Sequence, residues 1–215
     1  HIFDQEGYLS KHFNGYAPRM PQIEMIKTIA NALAKSKPGS PFHAIVEAGT
    51  GTGKSLALTF PLALYIVLLK MRMKEGDRPP KGFIATATTT LQGQLYDDDL
   101  PMVNKVLNDM GFNVKVALYK GKGNYLCTRR FLNFLEAGKD KMTDEERKEM
   151  DMLVSSVTNT DNTLNLEKCD KQKLPKQPSD DFWAKVNINL DSSCADCPYR
   201  STGCYYHLIR DNSKD

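Results

Sequence analysis

Between Glu47 and Ser55 the chain reads Glu-Ala-Gly-Thr-Gly-Thr-Gly-Lys-Ser. The alternate glycines Gly49, Gly51 and Gly53 let the backbone curl so that its N–H groups face inward as an anion nest. A helix that begins where this run ends adds the partial positive charge of its N-terminus. Lys54 then supplies a full charge for the β and γ phosphates, and Ser55 supplies a hydroxyl ligand for Mg2+. Ala48, Thr50 and Thr52 complete a phosphate loop whose first position is alanine where the common template has glycine. The expected ligand is ATP or a close relative with Mg2+. The plain alternative is a glycine-rich strand-to-helix turn that binds nothing.

A second constellation is made of sulfur. The five cysteines are Cys127, Cys169, Cys194, Cys197 and Cys204. An odd count, with no secretory pattern at the His1–Asp4 start, argues against a disulfide framework. Clustered thiolates are soft ligands and point to zinc or an iron–sulfur cluster. A structural four-cysteine zinc site usually takes two close pairs, and here only Cys194 and Cys197 form one. Spacing alone leaves both groups open. Around Cys127 stand Lys120, Lys122, Arg129 and Arg130, with Tyr125 among them. Cations beside a ring suit a single nucleic-acid strand, although the same residues also make an ordinary solvated turn and helix face.

These groups need a frame. Apolar spacing predicts a helix over Pro21–Lys35 and another from Gly53 to about Met73, with Pro61 inside the second as a source of a kink. Residues 1–15 read as an arm. Buried strands are predicted at His43–Glu47, Gly82–Ala87 and Val114–Tyr119. A loop and short helix cover Thr88–Leu100, and a helix covers Pro101–Met110. Strand and helix in alternation imply a parallel sheet flanked by helices. From Lys120 onward the character changes. Helices are predicted at Thr128–Ala137 and from the capping box at Thr143 to Val157. Thr158–Asp191 is polar and irregular. The expected domains are therefore 1–120 and 121–215.

Composition bounds the rest. The 215 residues are 40% hydrophobic, enough for a buried core, and carry a net charge of +3. The apolar run Leu56–Leu69 includes Thr59, Pro61 and Tyr65 and reads as a buried helix, not a bilayer span.

Four blocks in order carry a family resemblance. They are Gly15-Tyr16-Ala17-Pro18-Arg19-Met20-Pro21-Gln22, Glu47–Ser55, Ala85-Thr86-Ala87-Thr88-Thr89-Thr90-Leu91-Gln92-Gly93-Gln94-Leu95, and Tyr119–Cys127. Together with Cys194–Cys204 they resemble iron–sulfur superfamily 2 DNA helicases of the DinG/XPD type, in particular the bacterial DinG/YoaA branch. Ala48 at the head of the phosphate loop is familiar in superfamily 2. The resemblance implies an α/β fold, a partial RecA-like motor lobe, carrying a mainly helical, cysteine-containing insertion. It implies that Arg19 and Gln22 lie near the adenine. It implies that Thr86, Thr88, Thr89 and Gln92 touch the DNA backbone, beside the single-strand path that the charges of Lys122, Arg129 and Arg130 with the Tyr125 ring suggest by themselves. It maps Cys127, Cys194, Cys197 and Cys204 onto the four ligands of a 4Fe–4S cluster, with Cys169 a bystander. It further implies a monomeric, cytoplasmic, nucleoid-acting bacterial protein that works 5′ to 3′ on single-stranded DNA, with room for a replication or repair partner.

An ATPase of this class also needs an acidic pair after a buried strand to place Mg2+ and the attacking water. The only Asp-Glu pair is Asp144-Glu145, which opens a helix after a polar stretch. The expectation is an N-terminal portion of a helicase, unable to unwind DNA alone. Two rivals stand beside it: a nucleotide-responsive binding module with a structural zinc held by four cysteines, and a small P-loop kinase, for which no lid-arginine pattern stands out.

Overall fold

The computed structural model describes residues 6–12, 15–37, 39–189 and 194–213, the side chain of Lys139 apart. The chain divides into two compact units, His1–Val116 and Ala117–Asp215.

In the first unit α1 (Tyr8–His12) lies within the stretch predicted as an arm, and its Leu9 is fully buried. Helix α2 (Met20–Lys35) begins with proline in its first turn, where the missing N–H costs nothing. Helix α3 (Lys54–Lys70) runs on through Pro61. It buries Leu56, Phe60, Ala63 and Val67 against Leu9, Val103, Val106, Leu107 and Val114. Helix α4 (Thr89–Gln94) passes through a π-helical turn, Leu95–Asp99, into α5 (Leu100–Asp109). Imidazole Nε2 of His12 meets Asp109 Oδ2 at 2.8 Å and ties α1 to α5.

The predicted α/β architecture is not what the chain adopts. Among the described residues there is no β-strand, only four isolated bridge pairs, and the elements are helical. The three segments read as buried strands do not pair. Ile45 is 101% exposed and Phe83 is 89% exposed. Val114 is the exception in burial, yet its backbone N–H and C=O are met by the Asn104 side-chain amide at 3.2 and 2.9 Å and not by a neighbouring strand. The physical reason is that a helix satisfies its backbone within itself, whereas a strand needs a partner at ladder distance. An apolar run licenses a strand but does not supply that partner.

The second unit packs four helices, α6 (Thr128–Glu136), α7 (Asp144–Val157), α8 (Asp180–Val186) and α9 (Tyr205–Asn212). The capping box of α7 forms as its sequence predicts: Thr143 Oγ1 accepts from the Glu146 N–H, and the Glu146 carboxylate accepts from the Thr143 N–H. The core is a single cluster including Tyr125, Leu126, Phe131, Met150, Leu153, Phe182, Trp183, Val186 and Ile188. At its centre a short strip is stitched on both sides. Leu126 N donates to Cys169 O at 2.8 Å, Cys127 N to Val186 O at 2.8 Å, and Ile188 N to Tyr125 O at 3.0 Å. Beside it Lys120 Nζ meets Asp170 Oδ2 at 2.6 Å, both side chains only 3% exposed.

That buried pair yields a stability prediction. Asp170→Leu leaves the Lys120 charge without its partner and is expected to cost about 3–5 kcal/mol in urea unfolding. Lys120→Met with Asp170→Leu is expected to recover most of that loss. Equal stability of the single and double variants would refute the prediction.

Candidate nucleotide and metal sites

The loop Ala48–Ser55 closes onto the N-terminus of α3. Gly51 and Gly53 both take φ of 78°, in the left-handed region that favours glycine. Gly53 is the N-cap of α3, so Lys54 and Ser55 are its first residues. Lys54 Nζ lies 3.1 Å from Ala48 O and 2.9 Å from Gly49 O. Its ammonium thus neutralises carbonyls of its own loop, contacts that a phosphate would exchange for stronger charged ones. Thr52 Oγ1 donates to Gly49 O at 2.9 Å and braces the same turn.

Both residues expected near the adenine reach this loop from the start of α2. Arg19 Nη1 donates to Gly51 O. Gln22 Nε2 donates to Gly53 O at 3.1 Å, and Gln22 is only 5% exposed. Together they occupy two of the loop's carbonyls from outside the loop.

Asp99, on the π-helical turn, is a residue that sequence reasoning misses. Its Oδ2 is buried without a hydrogen-bond partner, on a turn that packs against α3, the helix Ser55 opens with Lys54. Burial raises the Asp99 pKa, the nearby Ser55 hydroxyl pulls it down, and the neighbouring Asp98 pushes it up. Nothing in Asp97-Asp98-Asp99 marks the third acid; only the π-turn, a feature frequent at functional sites, brings it near Ser55.

The threonine block is a helix start. Thr88 caps α4, its Oγ1 accepting from Leu91 N at 3.2 Å, and Thr86 Oγ1 donates to Thr88 O at 2.9 Å. Thr86 and Thr89 are half-buried, and Gln92 lies on the first turns of α4.

In the second unit one pocket is lined by Cys127, Cys194, Cys197 and Cys204, with Thr128, Arg129, Tyr199 and His207 around them. Cys127 is the N-cap of α6 and Cys204 the N-cap of α9. Burial raises the Cys204 pKa, and the backbone N–H groups of His207 and Tyr206 at the start of α9 pull it down. Thr128 Oγ1 donates to Gly203 O and fastens the start of α6 to the Cys204 loop. Cys197 opens a turn closed by Arg200 N to Cys197 O at 3.1 Å. Cys169 lies outside this set and is almost fully buried, and burial pushes its thiol up to about 12, so it stays protonated. Among the described residues no three His, Cys, Asp or Glu side chains are close enough to share a single metal ion.

One expected DNA contact is corrected. Tyr125 is fully buried, its hydroxyl accepting from Lys120 N at 3.0 Å, so it has no face for a base. Its ring is spent on the core beside Tyr205 and Tyr206. Arg130 is also committed, donating to Asn187 O and Ala184 O, each at 3.0 Å. Lys122 is exposed over the Tyr206 ring at 6.0 Å, and Arg129 is half-buried at the cysteine pocket. No described helix is long and apolar enough to cross a membrane.

The loop geometry makes a specific prediction. Gly53→Ala puts a Cβ 2.1 Å from Gln22 Nε2 at a φ of 78°. The left-handed backbone alone is expected to cost about 1–2 kcal/mol. Adding Gln22→Ala removes the collision but not the strain, so denaturant unfolding should show only partial recovery. Wild-type stability in Gly53→Ala would contradict this geometry.

No family model matches the chain. Individual proteins do. The chain is 39% identical over 138 residues to the ATP-dependent DNA helicase YoaA of Escherichia coli, covering 64% of this chain and 18% of that protein. It is 32% identical over 209 residues to the ATP-dependent helicase DinG of Mycobacterium tuberculosis, covering 91% of this chain and 29% of that one. It is 30% identical over 187 residues to the 3′-5′ exonuclease DinG of Bacillus subtilis, covering 87% of this chain and 18% of that one. The chain therefore spans less than a third of the length of these curated relatives. By these similarities the chain is a homologue of the DinG/YoaA-type helicases over part of their length.

Proposed function

We propose that this chain serves ATP-driven, 5′ to 3′ movement on DNA as part of a cytoplasmic DinG/YoaA-type helicase. The observation that carries the nucleotide half is the loop conformation: two left-handed glycines lead into α3 so that Lys54 and Ser55 open the helix. In this reading Ala48–Ser55 hold the phosphates, Lys54 neutralises the β and γ groups, and Ser55 ligates Mg2+. Arg19 and Gln22 set the loop's outer face and border the adenine. The threonine block Thr86, Thr88 and Thr89 with Gln92, and the cations Lys122 and Arg129, touch the DNA backbone, which carries charge and no sequence.

The second half of the reading concerns the cysteines, with residues 121–215 as the cluster-holding domain. Cys127, Cys194, Cys197 and Cys204 would hold a 4Fe–4S cluster, which supplies a rigid redox-active staple between the start of α6 and the start of α9. The donor set fits it: four cysteines line one pocket, and thiolates are the soft ligands such a cluster takes.

The acid that would activate water is not assigned among these residues, since Asp144 and Glu145 belong to the first turn of α7. The 215-residue chain alone is therefore expected to bind nucleotide without turning it over. Lys54→Ala should weaken ATP binding roughly 10- to 100-fold, the range for a lost charged hydrogen bond. Calorimetry with a non-hydrolysable ATP analogue checks this, and an unchanged Kd rejects the phosphate reading. Anaerobic preparation should give a brown protein with about four iron and four sulfide per chain. Cys197→Ser should lower both. One stoichiometric zinc with no sulfide would instead support the zinc-stabilised binding module.

A further inference from the structure

His207 is the outlier of the cysteine pocket. It lies in the first turn of α9, is 5% exposed, and lines the pocket beside all four cysteines. Its ring packs edge-on against Tyr206, with centroids 5.2 Å apart. Its Nε2 is buried and has no hydrogen-bond partner. A buried ring nitrogen left unmatched is costly, and native proteins rarely tolerate it without a reason. Cys204 is the N-cap of the same helix, so the imidazole shares the start of α9 with a cysteine of the pocket.

We propose that His207 donates its Nε2–H to a sulfur of the group held by the four cysteines, and so orients that group and raises its reduction potential. The inference rests on the iron–sulfur reading above. An N–H aimed at a cluster sulfide or thiolate stabilises the reduced, more negative cluster more than the oxidised one. His207 is a positioning residue: it ligates no iron, and no proton or electron passes through it. Arg200 and Arg210 supply positive charge to the same ring and Asp211 negative charge, so the local field there is set by more than the imidazole.

The test uses the 215-residue chain, reconstituted anaerobically with iron and sulfide. Dye-mediated redox titration, read by electron paramagnetic resonance of the reduced cluster, gives the midpoint potential. His207→Phe is expected to lower that potential at unchanged iron content. His207→Gln, which keeps an N–H donor, is expected to restore most of it. Potentials equal in wild type and His207→Phe would overturn the proposal. A measurement on the unaltered chain guards against variants that do not load. With histidine labelled by 15N, pulsed electron paramagnetic resonance should show a weak nitrogen coupling to the reduced cluster. No coupling, or the much larger coupling of a direct iron–nitrogen bond, would overturn it as well. Failure of the unaltered chain to take up iron and sulfide sinks the iron–sulfur reading itself, which separates the two outcomes.

Discussion

The second unit depends on the strip Tyr125–Cys127. Its backbone is bonded on one side to Cys169 and on the other to Val186 and Ile188, so three segments far apart in sequence meet across a few residues. Side chains reinforce the stitch. Tyr125 and Leu126 are fully buried, and Trp183 Nε1 donates to Gly123 O at 2.6 Å just ahead of them. The Lys120–Asp170 pair, buried and at 2.6 Å, fixes the approach to the strip. Such a pair contributes little net stability, but either partner alone is costly, which favours a single register. The strip delivers Cys127 to the mouth of α6, and Thr128 then reaches across to the Cys204 loop. Thiols distant in sequence share one pocket for that reason.

The first unit solves a different problem. A phosphate loop must expose N–H groups while hiding carbonyls, and both are on the same backbone. Here the carbonyls are occupied by donors from elsewhere: Arg19 on Gly51, Gln22 on Gly53, Lys54 on Ala48 and Gly49. Gln22 packs closely over Gly53, where an added Cβ would lie 2.1 Å from its Nε2. Residues that the family resemblance connects to the adenine thus also shape the loop, and the two roles are compatible. The π-turn between α4 and α5 packs against α3, the helix that Lys54 and Ser55 open, so it belongs to the same neighbourhood.

Some of this is legible in the residues. Gly49 to Ser55 specify their own turn, because glycine positions and a following helix are local properties. The capping box at Thr143 and the start of α2 at Pro21 are equally local and form where the sequence predicts them. Strands are the failure. Residues 43–47, 82–87 and 114–119 have strand-like composition, but composition says nothing about which segment lies alongside, and none does among the described residues. Tyr125 misleads for a related reason: an aromatic among lysines and arginines looks like a stacking platform until the core closes over it.

By itself the sequence determined the phosphate loop, its helix, the identity of the four clustered thiols and the kinship with DinG and YoaA, all of which depend on residue type and short spacing. Tertiary structure alone decided the partners. It placed the π-turn of Asp99 against α3, buried Tyr125, paired Lys120 with Asp170, set His207 among the cysteines and left Cys169 outside their pocket. Short-range order is written in neighbouring residues, whereas these contacts join groups distant along the chain and exist only once packing has fixed which surfaces meet.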